Sequence, residues 1–479
     1  MGGTVIADAL PARAGARGTR IRRTHAFLLL LALVLATACA GALCPAPAVA
    51  GVDGAIAASL RQAGLHGAGT GVYVWDLDAA LPVYELNAGT SLTPASNLKI
   101  VTSAAAILDW GVDHRFVTEL CAEDVPVAAG GVLQGDLYLR GLGDPSLSTR
   151  AYQQDVFGMT TASFETFART LKRQGVRKVR GRVLGDASWF DKLRTVPTWK
   201  DGLQLECGPL SALSGNQGLR DGNRVSAPAT YAAKLMKQAL ANVGVRVTGP
   251  SGTAKVPDTA KVVDRQYSAA LRGILKHMNK ESDNAFAEML LKGLGKEFHG
   301  DGSTAAGTRA SKAALHALGV KTGTYVIQDG SGLSYGNRMT AEGVVKVLGA
   351  LRQRDDFDDF YDSLAIAGED GTIHDRMRGT AAAGNARVKT GTLNVAICLS
   401  GYVTSANDHL VAFSILMNGG SLDWERATRA QDAIVVALAR STLPGEPLLA
   451  VTPVLRQHSV SAVETVHGVG GGLKPGVQP

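Results

Sequence analysis

Residues 93–108 read Thr-Pro-Ala-Ser-Asn-Leu-Lys-Ile-Val-Thr-Ser-Ala-Ala-Ala-Ile-Leu. Pro94 suits the first turn of a helix because its φ is preset and it has no N–H to lose. The alanines beyond Lys99 favour continuing that helix. Ser96 and Lys99 are three residues apart, so both side chains lie on one face, where a neutral lysine could take the serine proton. Taken alone, this pattern is more often an ordinary helix start with a lysine that reaches solvent.

Two later stretches favour the chemical interpretation. Ser282-Asp283-Asn284 stands at the head of a helical pattern, and Lys389-Thr-Gly391 begins an apolar run that predicts one strand from Val388 to Val403. Ser-x-x-Lys, Ser-Asp-Asn and Lys-Thr-Gly, in this order, form the signature of penicillin-binding proteins and class A β-lactamases. The three stretches together therefore predict a serine nucleophile activated by a lysine.

Two other stretches imitate catalytic motifs. Lys321-Thr-Gly323 repeats the Lys-Thr-Gly triplet, but it follows the end of a helix, so we predict a turn there. Gly332-Leu-Ser334-Tyr-Gly336 fits the nucleophile elbow of α/β-hydrolases, which requires a helix directly after the serine. Here the next helix is predicted to begin only at Thr340, so we predict a loop.

The first 50 residues resemble an export signal. Five arginines between residues 13 and 23 precede an apolar run from Ala26 to about Ala40, and Ala48-Val-Ala50 fits a cleavage site. We therefore expect an exported protein, located in the cell wall, the periplasmic space or the medium. No later apolar run approaches the length of a membrane span, so no transmembrane span is expected after signal removal.

Composition limits the remaining function classes. The chain has 479 residues, 46% hydrophobic and 19% charged, which is enough for a large core and more than one domain. Without residues 1–50 the formal net charge falls from +7 to +3, and so small a positive charge does not indicate nucleic-acid binding. The histidines and Cys121, Cys207 and Cys398 have no metal-ligand spacing, so no metal or cofactor is expected. Cys398 is predicted to be buried, and whether Cys121 and Cys207 pair is left open.

Changes in the pattern of predicted strands, helices and turns along the chain predict a catalytic domain that is interrupted by an insertion. Strands at Val72–Leu77 and Leu81–Leu86 precede the Ser96 stretch, and a strand at Leu410–Met417 and a helix at Trp424–Ala439 end the region. Between them lies a segment of short strands bracketed by Gly and Pro turns. The predicted division is an export signal at 1–50, catalytic parts at 51–115 and 225–443, an inserted domain at 116–224, and a flexible, Gly-rich tail at 444–479.

Beyond the three motifs, the sequence resembles the D-alanyl-D-alanine carboxypeptidase/endopeptidase branch of low-molecular-mass class C penicillin-binding proteins. The segments that carry this resemblance are 135–147, 278–284, 329–334, 367–372, 387–393 and 399–402. The resemblance implies an α/β (α+β) fold of the serine transpeptidase/β-lactamase type. In that fold an antiparallel sheet is flanked by helices, here with a domain inserted after the Ser96 helix.

The resemblance also implies the role of each site residue. Ser96 is the nucleophile, Lys99 its base and Ser282 the proton relay, while the backbone N–H groups of Ser96 and Thr392 form the oxyanion hole. The residues implied in substrate binding are Asn284, Lys389, Thr390, Gly391 and Thr392. The implied partners are peptidoglycan stem peptides and β-lactam antibiotics, with no cofactor.

Two rival functions remain open at this stage. The same fold could serve a serine β-lactamase or esterase, although no residue in the sequence can be assigned to fast deacylation. A non-catalytic wall-binding protein is the second rival, but such a protein has no need for both Lys99 and Lys389. The balance between carboxypeptidase and endopeptidase action is not encoded in these motifs.

Overall fold

The computed structural model describes residues 51–123 and 130–445. The export signal predicted for residues 1–50 lies outside the described residues. The tail predicted from residue 444 also lies outside them, except for its first two residues.

The larger body is built on a six-stranded sheet in which every neighbouring pair of strands is antiparallel. Its strands, in spatial order, are Ala365–Ile366, Arg387–Leu393, Ala396–Thr404, Leu410–Asn418, Thr70–Asp76 and Leu81–Leu86. The inner strands are buried almost throughout because helices cover both faces. The predicted antiparallel sheet flanked by helices is thus confirmed.

The helices of this body form a layer on each side of the sheet. Val52–Gln62 and Trp424–Arg440 pack on one face, and the remaining helices form the core on the other. Several helices begin where a side chain accepts the N–H of the third helical residue, as Asp283, Ser303, Thr340 and Asp423 do. The other helices are Leu98–Trp110, Leu271–Lys280, Asn284–His299, Thr304–Ala317, Ala341–Arg352 and Phe357–Ser363.

The single strand predicted from Val388 to Val403 is wrong. The chain reverses at residues 394–395, so that Leu393 pairs with Ala396 and two antiparallel strands result. The second of them is apolar on both faces because both are covered, and its sequence therefore lacks the alternation that would reveal where it begins.

A second body carries its own sheets. The five-stranded sheet contains, in spatial order, Ser251–Thr253, Val183–Asp186, Leu137–Gly141, Val117–Ala122 and Lys261–Tyr267. A three-stranded sheet contains Arg246–Val247, Lys178–Arg180 and Val132–Gln134, and Leu219–Arg220 pairs with Asn223–Arg224. Helices Phe164–Arg173 and Pro228–Asn242 pack on these sheets through an apolar core.

The second body continues past residue 224, where the sequence placed its end. Met236 and Leu240 of the helix Pro228–Asn242 lie in its core. Its last strand pairs with its first, with Tyr267 opposite Val117. We therefore propose that the inserted domain spans residues 117–267. The first and last strands of this segment pair with each other, so its sheet can bury a core within the segment itself.

The possible pairing of Cys121 with Cys207 is not formed. Cys121, Cys207 and Cys398 are buried free thiols. Cys121 packs against Tyr138 in the second body, whereas Cys207 packs in a separate apolar cluster with Trp199.

Candidate active site

Ser96 lies in a short 3₁₀ turn, Ala95–Asn97, that leads directly into the helix Leu98–Trp110, here called the Lys99 helix. The buried side chain of Asn97 holds the turn in place by donating a hydrogen bond from its amide to Ser400 Oγ at 2.6 Å. Lys99 follows one turn later with no exposed surface. The predicted helix start is confirmed, and the side chains of Ser96 and Lys99 meet.

The Lys99 amine has three neighbours. Its Nζ lies 3.1 Å from Ser96 Oγ, 2.7 Å from Asn284 Oδ1 and 2.8 Å from the Ser331 carbonyl oxygen. The amide oxygen and the carbonyl can only accept hydrogen bonds, so they take two N–H groups of the amine. A neutral amine held in this way directs its lone pair at the Ser96 hydroxyl.

Burial lowers the pKa of Lys99 to about 8, because removal from water penalises the charged form. The carboxyl groups of Asp329, Asp283 and Glu288 act in the opposite direction but do not cancel this effect. A neutral fraction of Lys99 is therefore accessible near neutral pH, as a general base requires.

The three side chains of the Ser282-Asp283-Asn284 segment contact different partners. Asp283 caps the helix Asn284–His299, here called the Asn284 helix, by accepting the Phe286 N–H at 2.9 Å. Burial alone would raise the pKa of Asp283, but the hydrogen bond and charge of His277 hold it below its usual value. Ser282 has a φ of 58°, a strained conformation for a residue with a side chain, and its hydroxyl faces Lys389.

Lys389 is the second buried lysine of the site. Its Nζ lies 2.9 Å from Ser282 Oγ and 2.9 Å from the Thr390 carbonyl oxygen, and the side chain has no exposed surface. Burial first, and the charge of Lys99 second, lower its pKa well below the usual value. The proton of Lys99 therefore disfavours a proton on Lys389.

The strand Arg387–Leu393, here called the Lys389 strand, passes against the Ser96 turn. A Cβ on Gly391 would lie 2.8 Å from the Pro94 carbonyl oxygen and 3.0 Å from the Ser96 nitrogen, so this close approach requires glycine. Thr390 Oγ1 lies 2.8 Å from Thr372 Oγ1, and Thr392 is exposed beside the serine turn. The structure thus brings the predicted residues of all three motifs to one site.

The imitating motifs lie elsewhere. Lys321, Thr322 and Gly323 form an exposed turn. Ser334 is a buried loop residue whose hydroxyl contacts Thr198 Oγ1 and whose N–H donates to Asp329. Each adopts the non-catalytic structure predicted for it.

Several contacts of the site escaped sequence reasoning. The carbonyl groups of Ser331 and Glu206 accept from Lys99 and Asn284, and a backbone oxygen leaves no trace in a sequence. Thr372 and Glu288 were missed as side chains. The only signal was that Ser331 and Thr372 belong to the segments 329–334 and 367–372, which carry the family resemblance.

A cavity of about 820 Å³ opens from this site between the two bodies of the chain. The second body contributes Glu206, Cys207 and Arg224, and the larger body contributes Ser282 and Asn284. Over residues 51–123 and 130–445, no group of three or more His, Cys, Asp or Glu residues is placed to hold a metal ion. Within the same ranges no helix has the length and apolar character needed to cross a bilayer.

The antiparallel sheet with helices on both faces, together with a serine and two buried lysines at its edge, defines a penicillin-recognising serine hydrolase. The model of the D-Ala-D-Ala carboxypeptidase 3 (S13) family matches residues 52–220 and 215–441. The chain belongs to this family and is a serine-type peptidase of the low-molecular-mass class C penicillin-binding proteins.

Individual relatives agree with this assignment. A D-alanyl-D-alanine carboxypeptidase from an Actinomadura species is 34% identical over 519 residues, covering 90% of this chain and 92% of the relative. The crystal structure of penicillin-binding protein 4 from Haemophilus influenzae has a TM-score of 0.66 at 23% identity, covering 79% of this chain and 97% of that chain. The same Haemophilus protein in complex with a β-lactam has a TM-score of 0.61 at 23% identity, with the same coverage.

Proposed function

We propose that this chain cleaves peptidoglycan stem peptides or D-alanine cross-links, as a D-Ala-D-Ala carboxypeptidase/endopeptidase, through an acyl-enzyme on Ser96. The observation that carries the proposal is the position of Lys99 Nζ, 3.1 Å from Ser96 Oγ, with Asn284 and Ser331 accepting its N–H groups. A buried lysine in this position is a base that needs no further partner to activate the serine.

In the acylation step, Lys99 takes the Ser96 proton as Ser96 Oγ attacks the carbonyl carbon of the penultimate D-alanine. The backbone N–H groups of Ser96 and Thr392 stabilise the tetrahedral oxyanion, an interaction that strengthens as negative charge develops. The close approach of the Lys389 strand to the Ser96 turn supports this pairing of N–H groups.

Ser282 delivers a proton to the departing amine. Its hydroxyl lies 2.9 Å from Lys389 Nζ, which can replace the proton that Ser282 gives up. Water then attacks the acyl carbon and returns a proton through Ser282 to Lys389, while Ser96 Oγ leaves and regains the proton held by Lys99, which releases the shortened peptide. In carboxypeptidase action the departing amine belongs to free D-alanine, and in endopeptidase action it belongs to a cross-linked peptide.

Lys389, Thr390 and Thr392 bind the terminal carboxylate, and this negative charge favours the protonated form of Lys389. Gly391 lets the strand backbone approach the Ser96 turn, where the substrate would bind. Asn284 binds the substrate amide through its Nδ2, which donates to the Glu206 carbonyl at 2.7 Å in the free protein. Substrate must therefore replace that carbonyl as the acceptor.

β-Lactams acylate the same serine and leave slowly, in our proposal. The β-lactam complex of the Haemophilus protein supports this, because that protein shares the fold. The export signal predicted in residues 1–50 supports action outside the cytoplasm, where the peptidoglycan substrate is found. The Actinomadura relative, which is named a D-alanyl-D-alanine carboxypeptidase, supports the substrate class.

The test is the substitution Ser96→Ala, measured by labelling with a fluorescent penicillin and by release of D-alanine from a pentapeptide. Both rates should fall by roughly a thousandfold or more, because the nucleophile is gone. Ser334→Ala is the matched control, since Ser334 lies in the imitating motif and should retain labelling. Undiminished labelling of Ser96→Ala would remove Ser96 from the mechanism.

A further inference from the structure

Glu288 lies one helical turn after Asn284 on the same face of the Asn284 helix, and it is completely buried. Its Oε1 accepts the N–H groups of Gly330 at 3.0 Å and of Ser331 at 2.8 Å. Its second oxygen, Oε2, is buried as well. A completely buried carboxyl group is costly, so its retention calls for an explanation.

The segment that Glu288 holds is the one that contacts Lys99. The Ser331 carbonyl accepts a hydrogen bond from Lys99 Nζ, and the Gly330 carbonyl accepts one from Thr102 Oγ1 at 2.7 Å. Lys99 and Thr102 belong to the same helix. Residues 330–331 are therefore clamped between the Lys99 helix, through their carbonyl groups, and the Asn284 helix, through their N–H groups.

The titratable groups that interact electrostatically with Glu288 include Lys99 of the Lys99 helix, Asp329 of the loop before the clamped segment, and Cys207 of the second body. Burial raises the pKa of the Cys207 thiol well above its usual value, so Cys207 carries no charge. Burial, and then the carboxyl group of Asp329, raise the pKa of Glu288 to about 8. Glu288 and Lys99 therefore change their charge over the same pH range.

We propose that Glu288 is a positioning residue for Lys99, which fixes residues 330–331 and thereby holds the Ser331 carbonyl that accepts one Lys99 N–H. The inference rests on the proposed role of Lys99. Through the clamp, Glu288 orients the carbonyl that takes one Lys99 N–H and thereby directs the amine lone pair at Ser96. When ionised, Glu288 also favours the protonated form of Lys99.

Glu288→Gln separates these two effects, because the amide oxygen can still accept the two N–H groups but carries no charge. We expect the second-order rate of acylation by a fluorescent penicillin to reach a plateau within about threefold of wild type, since this hydrogen bonding is kept. The midpoint of the pH–rate profile should move to lower pH, because the lysine cation loses a neighbouring negative charge. An unchanged midpoint would overturn the charge coupling.

Glu288→Ala removes both effects. The plateau rate should fall about ten- to a hundredfold, the equivalent of one or two buried hydrogen bonds. A plateau equal to that of wild type would overturn the positioning role. If Glu288→Ala does not fold, Glu288→Gln still tests the proposal. Glutamine fills the same space as glutamate, so this variant leaves no cavity and its pH–rate profile can be measured.

Glu297→Gln is the matched control, since Glu297 is exposed on the same helix and should leave both the rate and the midpoint unchanged. Ser96→Ala, measured in the same assay, distinguishes the two ways of failing. Labelling of that variant at the wild-type rate would overturn the proposed function itself. If Ser96→Ala is not labelled but the Glu288 variants keep the wild-type plateau rate and midpoint, only the role of Glu288 is overturned.

Discussion

At the scale of single residues, Lys99 carries the chemistry because its environment opposes its charge. A lysine in water keeps its proton far above neutral pH, whereas this one has no exposed surface and is within hydrogen-bond distance of three polar groups among the described residues. The sequence could predict Lys99 as the base only from the three motifs together, since the Ser-x-x-Lys pattern alone favours a lysine that reaches solvent. It could not predict the acceptors that orient the amine, because they come from residues 284 and 331.

The pH dependence of acylation follows from this environment. Burial holds the Lys99 pKa at about 8, below its ordinary value, so the catalytically required neutral form becomes populated as the pH rises through about 8. The second-order rate of acylation by a fluorescent penicillin should therefore increase between pH 6 and 9 and then level off. A rate that stays constant or falls over this range, with the protein still folded by circular dichroism, would contradict the assignment of Lys99 as the base.

At the scale of elements, the Lys389 strand distinguishes the two Lys-Thr-Gly triplets. Lys389 is buried in a strand whose neighbour along the sheet is the apolar Ala396–Thr404, whereas Lys321 lies in an exposed turn. The same three residues thus acquire different chemistry from the element that holds them.

Lys389→Ala should lower the rate of acylation by a carboxylate-bearing penicillin about ten- to a hundredfold, because a charge-assisted hydrogen bond and the partner of Ser282 are lost. Lys321→Ala, the matched control, should leave the rate unchanged. The measurement is the rate of fluorescent-penicillin labelling for both variants under identical conditions. The reverse result would assign the catalytic triplet to residues 321–323.

The elements also show where sequence reasoning stops. Polar caps and alternating strands gave the helix start after Thr340 and the hairpin of Thr70–Asp76 with Leu81–Leu86, because local chemistry determines them. The reversal at residues 394–395 was missed, and so was the pairing of Lys261–Tyr267 with Val117–Ala122. Both depend on which surfaces are covered by distant parts of the chain, and a local pattern does not record that.

Glu288 illustrates the same limit at the candidate site. A glutamate in an amphipathic helix usually faces solvent, so its sequence position gives no reason to expect a buried group. Only the approach of residues 330–331 makes it part of the site. The three motifs could be predicted because their chemistry resides in their own side chains.

At the scale of the whole molecule, the two bodies are joined by partly buried polar contacts. Lys292 of the Asn284 helix is almost completely buried, and its Nζ lies 2.8 Å from Asp191 Oδ1 of the second body. Gln217 of the second body donates to the capping carboxylate of Asp283. The second body is thus attached to the helix that presents Asn284.

Asp191→Ala should reduce the free energy of unfolding by about 3 kcal/mol, because it leaves the buried Lys292 cation without its partner. The double variant Asp191→Leu/Lys292→Met should recover most of that loss, since no unpaired charge remains. Urea unfolding of each variant is the measurement. Glu425→Ala, which breaks an exposed pair with Arg429, should change stability little and serves as the control. Equal stability of Asp191→Ala and wild type would show that the pair does not hold the bodies together.

Asn284, Glu288 and Lys292 succeed one another at intervals of four residues along one helix. They meet the serine site, the 330–331 segment and the inserted domain in turn. An α-helix rotates by about 100° for each residue, so deleting one position between 284 and 292 would turn at least one of these groups away from its partner. This stretch therefore acts as a spacer of fixed length, and natural variation in chain length is expected in the surface loops rather than here.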